Sequence, residues 1–392
     1  MRILHVISTL DPATGGPPAV VTRLAAAQAA LGHEVHVASY ESPAVADRIA
    51  AYWKSIPHHE LVRTHPLPMG ARFERFTARA AGRELGKIIP AMNMVHLHGI
   101  WDPILKTAAG IAHSAAIPYA IAPHGMLDPW SMRQRLLKKR VALVLGYRNM
   151  LDHAAFLHVL NADEKDLLEP RHLHNRRKVI PNGVFLEELE PLPAKTAFHS
   201  AHPALEGKPY VLFLSRLHFK KGLDYLADAF ALCAASHPVL QLVVAGPDDG
   251  AWADFHQRID RVNLAARVHV VGPLYGPAKL AALTGASCFC LPSRQEGFSM
   301  AIAEALACEI PVVISQACHF PEVAEVGAGH IVALNPKKIA DAILEVMKNP
   351  QRAAEMGQAG RKLIESRFTW PAIGELSIRS YSAAISDSST RR

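Results

Sequence analysis

Short apolar runs recur along the chain, separated by longer stretches in which apolar and polar positions follow a helical period. In the first half the runs are Ile3–Ile7, Val35–Ser39, Met94–His98, Tyr119–Ala122, Phe156–Val159 and Val179–Ile180. Between the first two lies Ala19–Leu31, alanine-rich and amphipathic. Continuous apolar strands alternating with helices predict a parallel sheet, because crossover helices cover both of its faces and leave no face for polar alternates. Residues 187–208 break the rhythm with ELEPLPAK and HSAHPALEGKP, which carry several prolines and little period, and read as a linker. The pattern then restarts with Val211–Leu214, Leu242–Ala245, Val268–Val271, Cys288–Leu291 and Val312–Ile314. Helical stretches such as Gly222–Ala235 and Pro277–Leu283 separate these runs.

The expected fold class is therefore α/β, with two Rossmann-like, doubly wound domains over 1–186 and 209–369. A C-terminal helix over residues 370–386 is expected to pack back on the first domain. Open parallel sheets bind ligands beyond the carboxyl ends of their strands. The expectation is a site in an interdomain cleft, built from motifs that directly follow strands.

Composition narrows the classes. The chain has 392 residues, half of them hydrophobic and 20% charged, enough apolar content for each half to bury a core. The longest apolar stretches are far shorter than the ~18 residues of a membrane span. Ile3–Ile7 is short and Asp11 follows closely, which does not read as a secretory leader; the expected location is the cytoplasm. Lys and Arg number 42 against 35 Asp and Glu, a net charge of +7. That excess suits anionic substrates, an anionic membrane surface or nucleic acid. No nucleic-acid-binding motif accompanies it, so nucleic acid is not an expected partner. The five cysteines, Cys233, Cys288, Cys290, Cys308 and Cys318, are odd in number and lack the paired spacing of a zinc site. They read as core thiols, and no metal is expected.

Five motifs carry chemistry. Ser8–Pro18, STLDPATGGPP, lies between the first strand and the first helix. Gly15 and Gly16 allow a tight turn and close backbone approach to a ligand, and a helix N-terminus behind them favours an anion. The spacing is not GxGxxG, which disfavours a dinucleotide enzyme. HLHGIWDP supplies His96, His98, Gly99, Trp101 and Asp102, and APHGMLDPW supplies His124 and Gly125. One histidine at a strand end is commonly structural; two His-Gly pairs after successive strands point to a ligand. In SRLHFKKGLD, Arg216 and Lys221 flank a strand-loop-helix junction. A planar fork and a compact ammonium together suit a pyrophosphate, and the dipole of the helix beginning near Gly222 adds to them. SRQEGFSMAIAEALACEIPVV places Glu296 before Gly297 and Glu304 eight residues on. Carboxylates suit sugar and ribose hydroxyls, since each accepts two hydrogen bonds. The apolar neighbours Met300, Ile302, Ala303 and Leu306 argue against a plain solvated face.

EGFSMAIAE resembles the E-x7-E signature of glycosyltransferase family 4, which has the GT-B fold, and Arg216–Gly222 resembles that family's R-x4-KG phosphate motif. GGPP, HGIWDP, PHGMLDP, PNGV at 181–184 and FTW at 368–370 fall in the order found in members of that family. The resemblance spans nearly the whole chain. It implies a hexosyltransferase-type, retaining transfer from a UDP- or GDP-linked sugar to a glycan or lipid-linked acceptor in cell-surface polysaccharide synthesis, without a metal. It implies donor contacts from Gly15, Gly16, Arg216, Lys221, Glu296, Gly297, Phe298, Ser299, Met300 and Glu304. The reacting centre would involve His124, Arg216, Lys221 and Glu296, with His98, Trp101 and Asp102 toward the acceptor. It favours front-face attack, in which the leaving phosphate helps accept the acceptor's proton. No carboxylate is well placed as a covalent nucleophile, and Asp248 and Asp249 in GPDDG read as a turn rather than a D-x-D metal motif.

Two departures stand out. Ser299 replaces a common Gly, and Glu309 replaces the Gly that commonly ends the helix in a left-handed conformation. The alternatives weighed are a phosphorylase- or epimerase-like GT-B enzyme and a non-catalytic nucleotide-sugar-binding protein.

Residues 130–148 interleave Arg133, Arg135, Lys138, Lys139 and Arg140 with Trp130, Leu136, Leu137 and Val141. Such a segment can lie on an anionic leaflet, which would make the protein peripheral to the inner face of the plasma membrane. Met69–Leu85 is similar but weaker.

Overall fold

The computed structural model describes residues 1–69, 77–167 and 176–390. The chain forms two compact units. The first comprises Met1–Asn182 together with Trp370–Arg392, and the second Gly183–Thr369.

The first unit is built on seven parallel strands: β1 Arg2–Thr9, β2 Glu34–Glu41, β3 Val62–Pro68, β4 Met94–His98, β5 Tyr119–Ala122, β6 Phe156–Val159 and β7 Arg176–Val179. Their order is β3-β2-β1-β4-β5-β6-β7. The sheet therefore reverses direction of growth at β1, and β1 pairs with β4 from Ile3–Met94 to Ile7–His98. All five residues of β4 are buried, as a strand covered on both faces must be. β3 carries VRTHPLP, too polar and too rich in proline to stand out as an apolar run, and β7 carries RRKV, of which only Val179 belongs to the apolar run Val179–Ile180. Both lie at sheet edges, where an unpaired side tolerates proline and charge.

The helix Gly16–Ala30 follows β1 and opens with prolines whose fixed φ suits a first turn. The C-terminal helix Trp370–Thr390 packs along it. Gly374 makes that approach possible: a Cβ there would stand 3.1 Å from Leu31 and 3.4 Å from Ala27. Trp370 and Tyr381 are buried in the first unit.

The second unit carries six parallel strands: β8 Tyr210–Leu214, β9 Gln241–Ala245, β10 Val268–Gly272, β11 Cys288–Leu291, β12 Val312–Ser315 and β13 Gly329–Val332. Their order is β10-β9-β8-β11-β12-β13, with the reversal at β8. Segment 187–208 belongs to this unit and is not a free linker. Its prolines erase any period, yet Leu189, Phe198 and Leu205 are buried in the core, and the Phe198 ring lies 5.6 Å from that of Tyr210. The two passages of chain between the units run side by side: Val184 donates to the Phe368 carbonyl at 2.9 Å and bridges to Thr369. All five cysteines are free and buried, as expected of core thiols.

Candidate functional site

In the second unit the strand ends at the sheet reversal gather the acidic and basic motifs. After β8, the loop carrying Arg216 meets Gly246, where a Cβ would stand 1.8 Å from the Ser215 carbonyl oxygen. Further along the same loop Gly222 has φ 69°, and a Cβ there would stand 1.8 Å from the Pro292 carbonyl oxygen. Only glycine lets the Lys221 loop seat this closely against the segment after β11.

The seating brings Lys221 to Glu296. The ammonium Nζ lies 2.6 Å from Oε1, and the two side chains are only 16% and 8% exposed. Ser293 donates its hydroxyl to the same carboxylate oxygen at 2.6 Å. Arg294 braces the junction: its amide donates to the Lys220 carbonyl, its guanidinium holds both carboxylate oxygens of Asp224, and it stacks 3.9 Å over the Phe219 ring.

Glu304 lies in the helix Met300–Ala307, where Lys279 donates to its Oε1 at 2.8 Å. Ser299 stands at the N-cap position of this helix without a side-chain cap bond, and the amides of Phe298 and Ser299 make no hydrogen bond among the described residues. They add to the donors that a helix N-terminus offers an anion. The Phe298 side chain turns away from such a role, packing against Phe320 and Phe368 at 5.3 and 5.9 Å between rings. Gly297 is exposed, Ser299 is buried and Met300 is half-buried at the helix start. Arg216 stands apart from the buried pair, in an exposed ion pair with Asp249 at 2.6 Å. Asp248 accepts the amides of Gly250 and Trp252, which is the turn chemistry read from GPDDG. Glu309 has φ 61°, the left-handed conformation usually held by glycine.

In the first unit Gly15 has φ 111° and Gly16 opens the first helix. A Cβ on either would meet nothing within 4 Å, so the loop presents open backbone. The turn before it is held by Asp11, whose carboxylate takes a bidentate grip from Arg48 at 2.7 and 2.6 Å. Asp102 begins the helix Pro103–Ser114, and burial raises its carboxyl above the ordinary range. The carbonyl of Trp101 accepts the Tyr147 hydroxyl at 3.1 Å, and the ammonium of Lys139 lies 5.5 Å over the indole.

His124, at φ 50°, is half-buried and hydrogen-bonds His98 at 3.1 Å. His98 itself is only 2% exposed, and its other nitrogen meets His5 at 2.9 Å. With both nitrogens engaged, His98 supports His124 rather than facing an acceptor directly. Burial is the main cause that lowers the pKa of His5 and His158 to about 4 and that of His124 to about 3. The same cause holds His96 and His98 well below the ordinary value. The sequence reading reached the motif residues and missed Lys279, Ser293, Arg294, His5, Gln28 and Tyr381. Lys279, Arg294, His5, Gln28 and Tyr381 act through partners distant in sequence, which no local spacing signals, whereas Ser293 stands three residues from its partner Glu296.

Segment 136–147 forms the helix Leu136–Ala142 and then a turn at Leu143–Tyr147 with Gly146 at φ 101°. Leu137 and Val144 are 77% and 86% exposed beside exposed Lys138 and Arg140. Part of the weaker basic segment, residues 70–76, lies outside the described residues. No helix among the described residues is long and apolar enough to cross a membrane.

Two parallel-sheet Rossmann-like units, with acidic and basic side chains at the strand ends of the second, define the architecture of a GT-B glycosyltransferase. Residues 15–183 match the family described as glycosyl transferase 4-like domain, and residues 194–363 match glycosyl transferases group 1. Together the matches take in most of the chain, which belongs to the group 1 glycosyltransferases and is a transferase of the EC 2.4 type. The chain is similar to the GDP-mannose-dependent monoacylated alpha-(1-6)-phosphatidylinositol monomannoside mannosyltransferase of Corynebacterium glutamicum, with 27% identity over 287 residues covering 69% of this chain and 72% of that one. It is 26% identical to the alpha-maltose-1-phosphate synthase of Mycobacterium tuberculosis over 333 residues, 80% of this chain and 84% of that one. Among solved structures, Anabaena HepE in complex with UDP and glucose aligns with a TM-score of 0.75 at 20% identity, covering 98% of this chain and all of that one.

Proposed function

We propose that this glycosyltransferase is a family 4, retaining enzyme that moves a hexosyl group from a UDP- or GDP-linked sugar to a glycan or lipid-linked acceptor, without a metal. The observation that carries the reading is the presence in the second unit of two shielded ion pairs, Lys221–Glu296 and Lys279–Glu304. Two carboxylates held in place by cations can accept sugar and ribose hydroxyls without being drawn away by solvent. In this reading Lys221 and Arg216 meet the diphosphate and stabilise the charge that develops on it as the glycosidic bond to the donor breaks. Each is held by a carboxylate in the free chain, so donor binding exchanges one anionic partner for another. Glu296 meets hydroxyls of the donor sugar, Glu304 those of the ribose, and the open amides near Ser299 add donors to the phosphates. The Gly15–Gly16 loop offers open backbone to an anion. His124 stands beside the reacting sugar, with Trp101 and Asp102 toward the acceptor.

Exposed Leu137 and Val144 beside basic side chains support docking on an anionic membrane surface, where a lipid-linked acceptor in cell-surface polysaccharide synthesis would be met. The Corynebacterium relative, by its name, uses GDP-mannose and a phosphatidylinositol-based acceptor; HepE was solved with UDP. Those two names are why both nucleotides belong in the first test.

That test is a thermal-shift panel of UDP, GDP and ADP and their sugars on wild type, Lys221→Ala, Lys279→Ala and Glu304→Ala. A ligand at 100 times its Kd adds about 2.7 kcal/mol to stability. A shift with one nucleotide series, lost in the variants, fits the proposal. Folded protein that shifts with none of them would leave it a degenerate or differently supplied protein. The anomeric configuration of the product, read by NMR, then tests retention.

A further inference from the structure

Behind His124 runs a buried chain of hydrogen bonds whose every proton can be placed. It has two ends at backbone carbonyls. At one, the Ser377 hydroxyl lies 2.6 Å from the Gly374 carbonyl oxygen. Two oxygens approach this closely only with a hydrogen between them, and a carbonyl has none, so Ser377 donates. Its oxygen is then an acceptor for Gln28, whose amide nitrogen lies 2.8 Å away. The Gln28 carbonyl oxygen, 2.8 Å from His5 Nε2, must receive a proton from that nitrogen.

Burial keeps His5 neutral, so its Nδ1 is an acceptor. His98 Nε2, 2.9 Å away, therefore carries a proton and His98 Nδ1 does not. His124 Nε2, 3.1 Å from that nitrogen, carries the next proton. What remains on His124 is Nδ1 with a lone pair, and no partner meets it among the described residues.

The other end gives the same answer. His158 Nε2 lies 2.6 Å from the Ile180 carbonyl oxygen and must donate, which leaves its Nδ1 to accept from His96 Nε2 at 3.3 Å. His96 Nδ1 then accepts the Tyr381 hydroxyl at 2.7 Å, and the Tyr381 oxygen accepts the Gln28 amide at 3.2 Å. Two independent carbonyl anchors thus orient Gln28 the same way.

We propose that Gln28, His5 and His98 are positioning residues that hold His124 as its Nε2–H tautomer, so that Nδ1 accepts a hydrogen bond from a hydroxyl of the bound sugar. The proposal rests on the reading of His124 as the group beside the reacting sugar. An imidazole fixed this way accepts from a hydroxyl and repels a phosphate oxygen, so it sorts the sugar end of a donor from its diphosphate. The nitrogens of His5, His96 and His98 also come within 4.8 Å of one another, close enough to hold a metal ion. In the chain above, however, three of those nitrogens donate protons to neighbours, and three lone pairs are not free together.

The experiment is two-bond 1H–15N correlation NMR on protein labelled at histidine, free of nucleotide at neutral pH, with His124 assigned by its loss in His124→Asn. The expected signature is a single Nε2–H tautomer at His124, giving way to a mixture in Gln28→Met. A Nδ1–H signature, or one unchanged in Gln28→Met, overturns the proposal; should that variant not fold, the wild-type spectrum alone decides. Titration with UDP-glucose and GDP-mannose should move the Nδ1 resonance with whichever donor binds. No movement with a donor that does bind would remove the proposed role of the lone pair while leaving the glycosyltransferase reading, tested by thermal shift in the second unit, intact. Stoichiometric collapse of the His5, His96 and His98 signals on adding zinc would replace the proposal with a metal site. With a turning-over donor, Gln28→Met should lose about tenfold or more in kcat, as disturbed supporting shells commonly do, with donor KM little changed.

Discussion

The ammonium of Lys221 and the carboxylate of Glu296 are 75 residues apart in sequence and 2.6 Å apart in space, both largely shielded from water. Removing either leaves the other charge shielded and uncompensated, at a cost of about 3 kcal/mol. The double substitution Lys221→Met, Glu296→Leu should recover most of that stability, because both charges go together. Activity should behave differently. Lys221→Ala should lose about 10²–10³ in kcat, the usual price of removing one preorganised charge stabiliser, and the double variant should stay inactive. Chemical denaturation paired with a donor-consumption assay separates the two effects; an active double variant would show that the pair is structural only.

Acid should destabilise the first unit through its histidines. His5, His158 and His124 have folded-state pKa values of about 4, 4 and 3, lowered by burial from 6.5. Below pH 6.5 the unfolded chain takes up protons that the folded chain refuses. Stability therefore falls as pH drops from 6.5 toward 4 and levels off below the folded values. Denaturation midpoints measured between pH 7.5 and 4.5 should show the decline, and His158→Gln should make it shallower. A profile flat across this window would mean that these histidines are not held neutral.

Glu309 occupies the left-handed region at φ 61°. Glu309→Gly removes that strain and should stabilise the second unit by about 1 kcal/mol. The helix before it ends at Ala307 with all donor-side residues unchanged, so nucleotide affinity should not move. A calorimetric melt of the two proteins is sufficient to check the sign.

Exposed Leu137 and Val144 sit beside Lys138 and Arg140. Leu137→Asp with Val144→Asp should weaken sedimentation with vesicles containing anionic lipid at least several-fold, and raising salt should weaken the wild type too. Equal binding to neutral vesicles, or no binding at low salt, would make this patch an ordinary surface.

Much of this was readable before any coordinates. The apolar runs gave the inner strands because inner strands of a parallel sheet are buried on both faces. Val62–Pro68 and Gly329–Val332 escaped, and Arg176–Val179 showed only its last residue, in the run Val179–Ile180; all three are edge strands, which tolerate charge, proline or shortness. Arg216, Lys221, Glu296 and Glu304 were visible as motifs. Two of their supporting contacts were not: Lys279 beside Glu304 and Lys221 beside Glu296 follow from where distant segments come together. His5 and His158 looked like any residues of apolar strands. Only the register that sets His5 opposite His96 shows that they form a chain. The proline-rich stretch 187–208 misled because proline hides the apolar anchors Leu189, Phe198 and Leu205.

The C-terminal helix carries one further consequence, in the order of synthesis. Residues 183–369 form the second unit as one uninterrupted length, inserted into the first. A ribosome therefore completes the second unit before it delivers Ser377 and Tyr381. Domains fold as they emerge, so a nascent chain stopped short of Trp370 holds a finished second unit and a first unit whose Gln28 has nothing to orient it. A helix made only after the second unit sets the protons on a histidine encoded some 250 codons earlier, between His124 and Ser377.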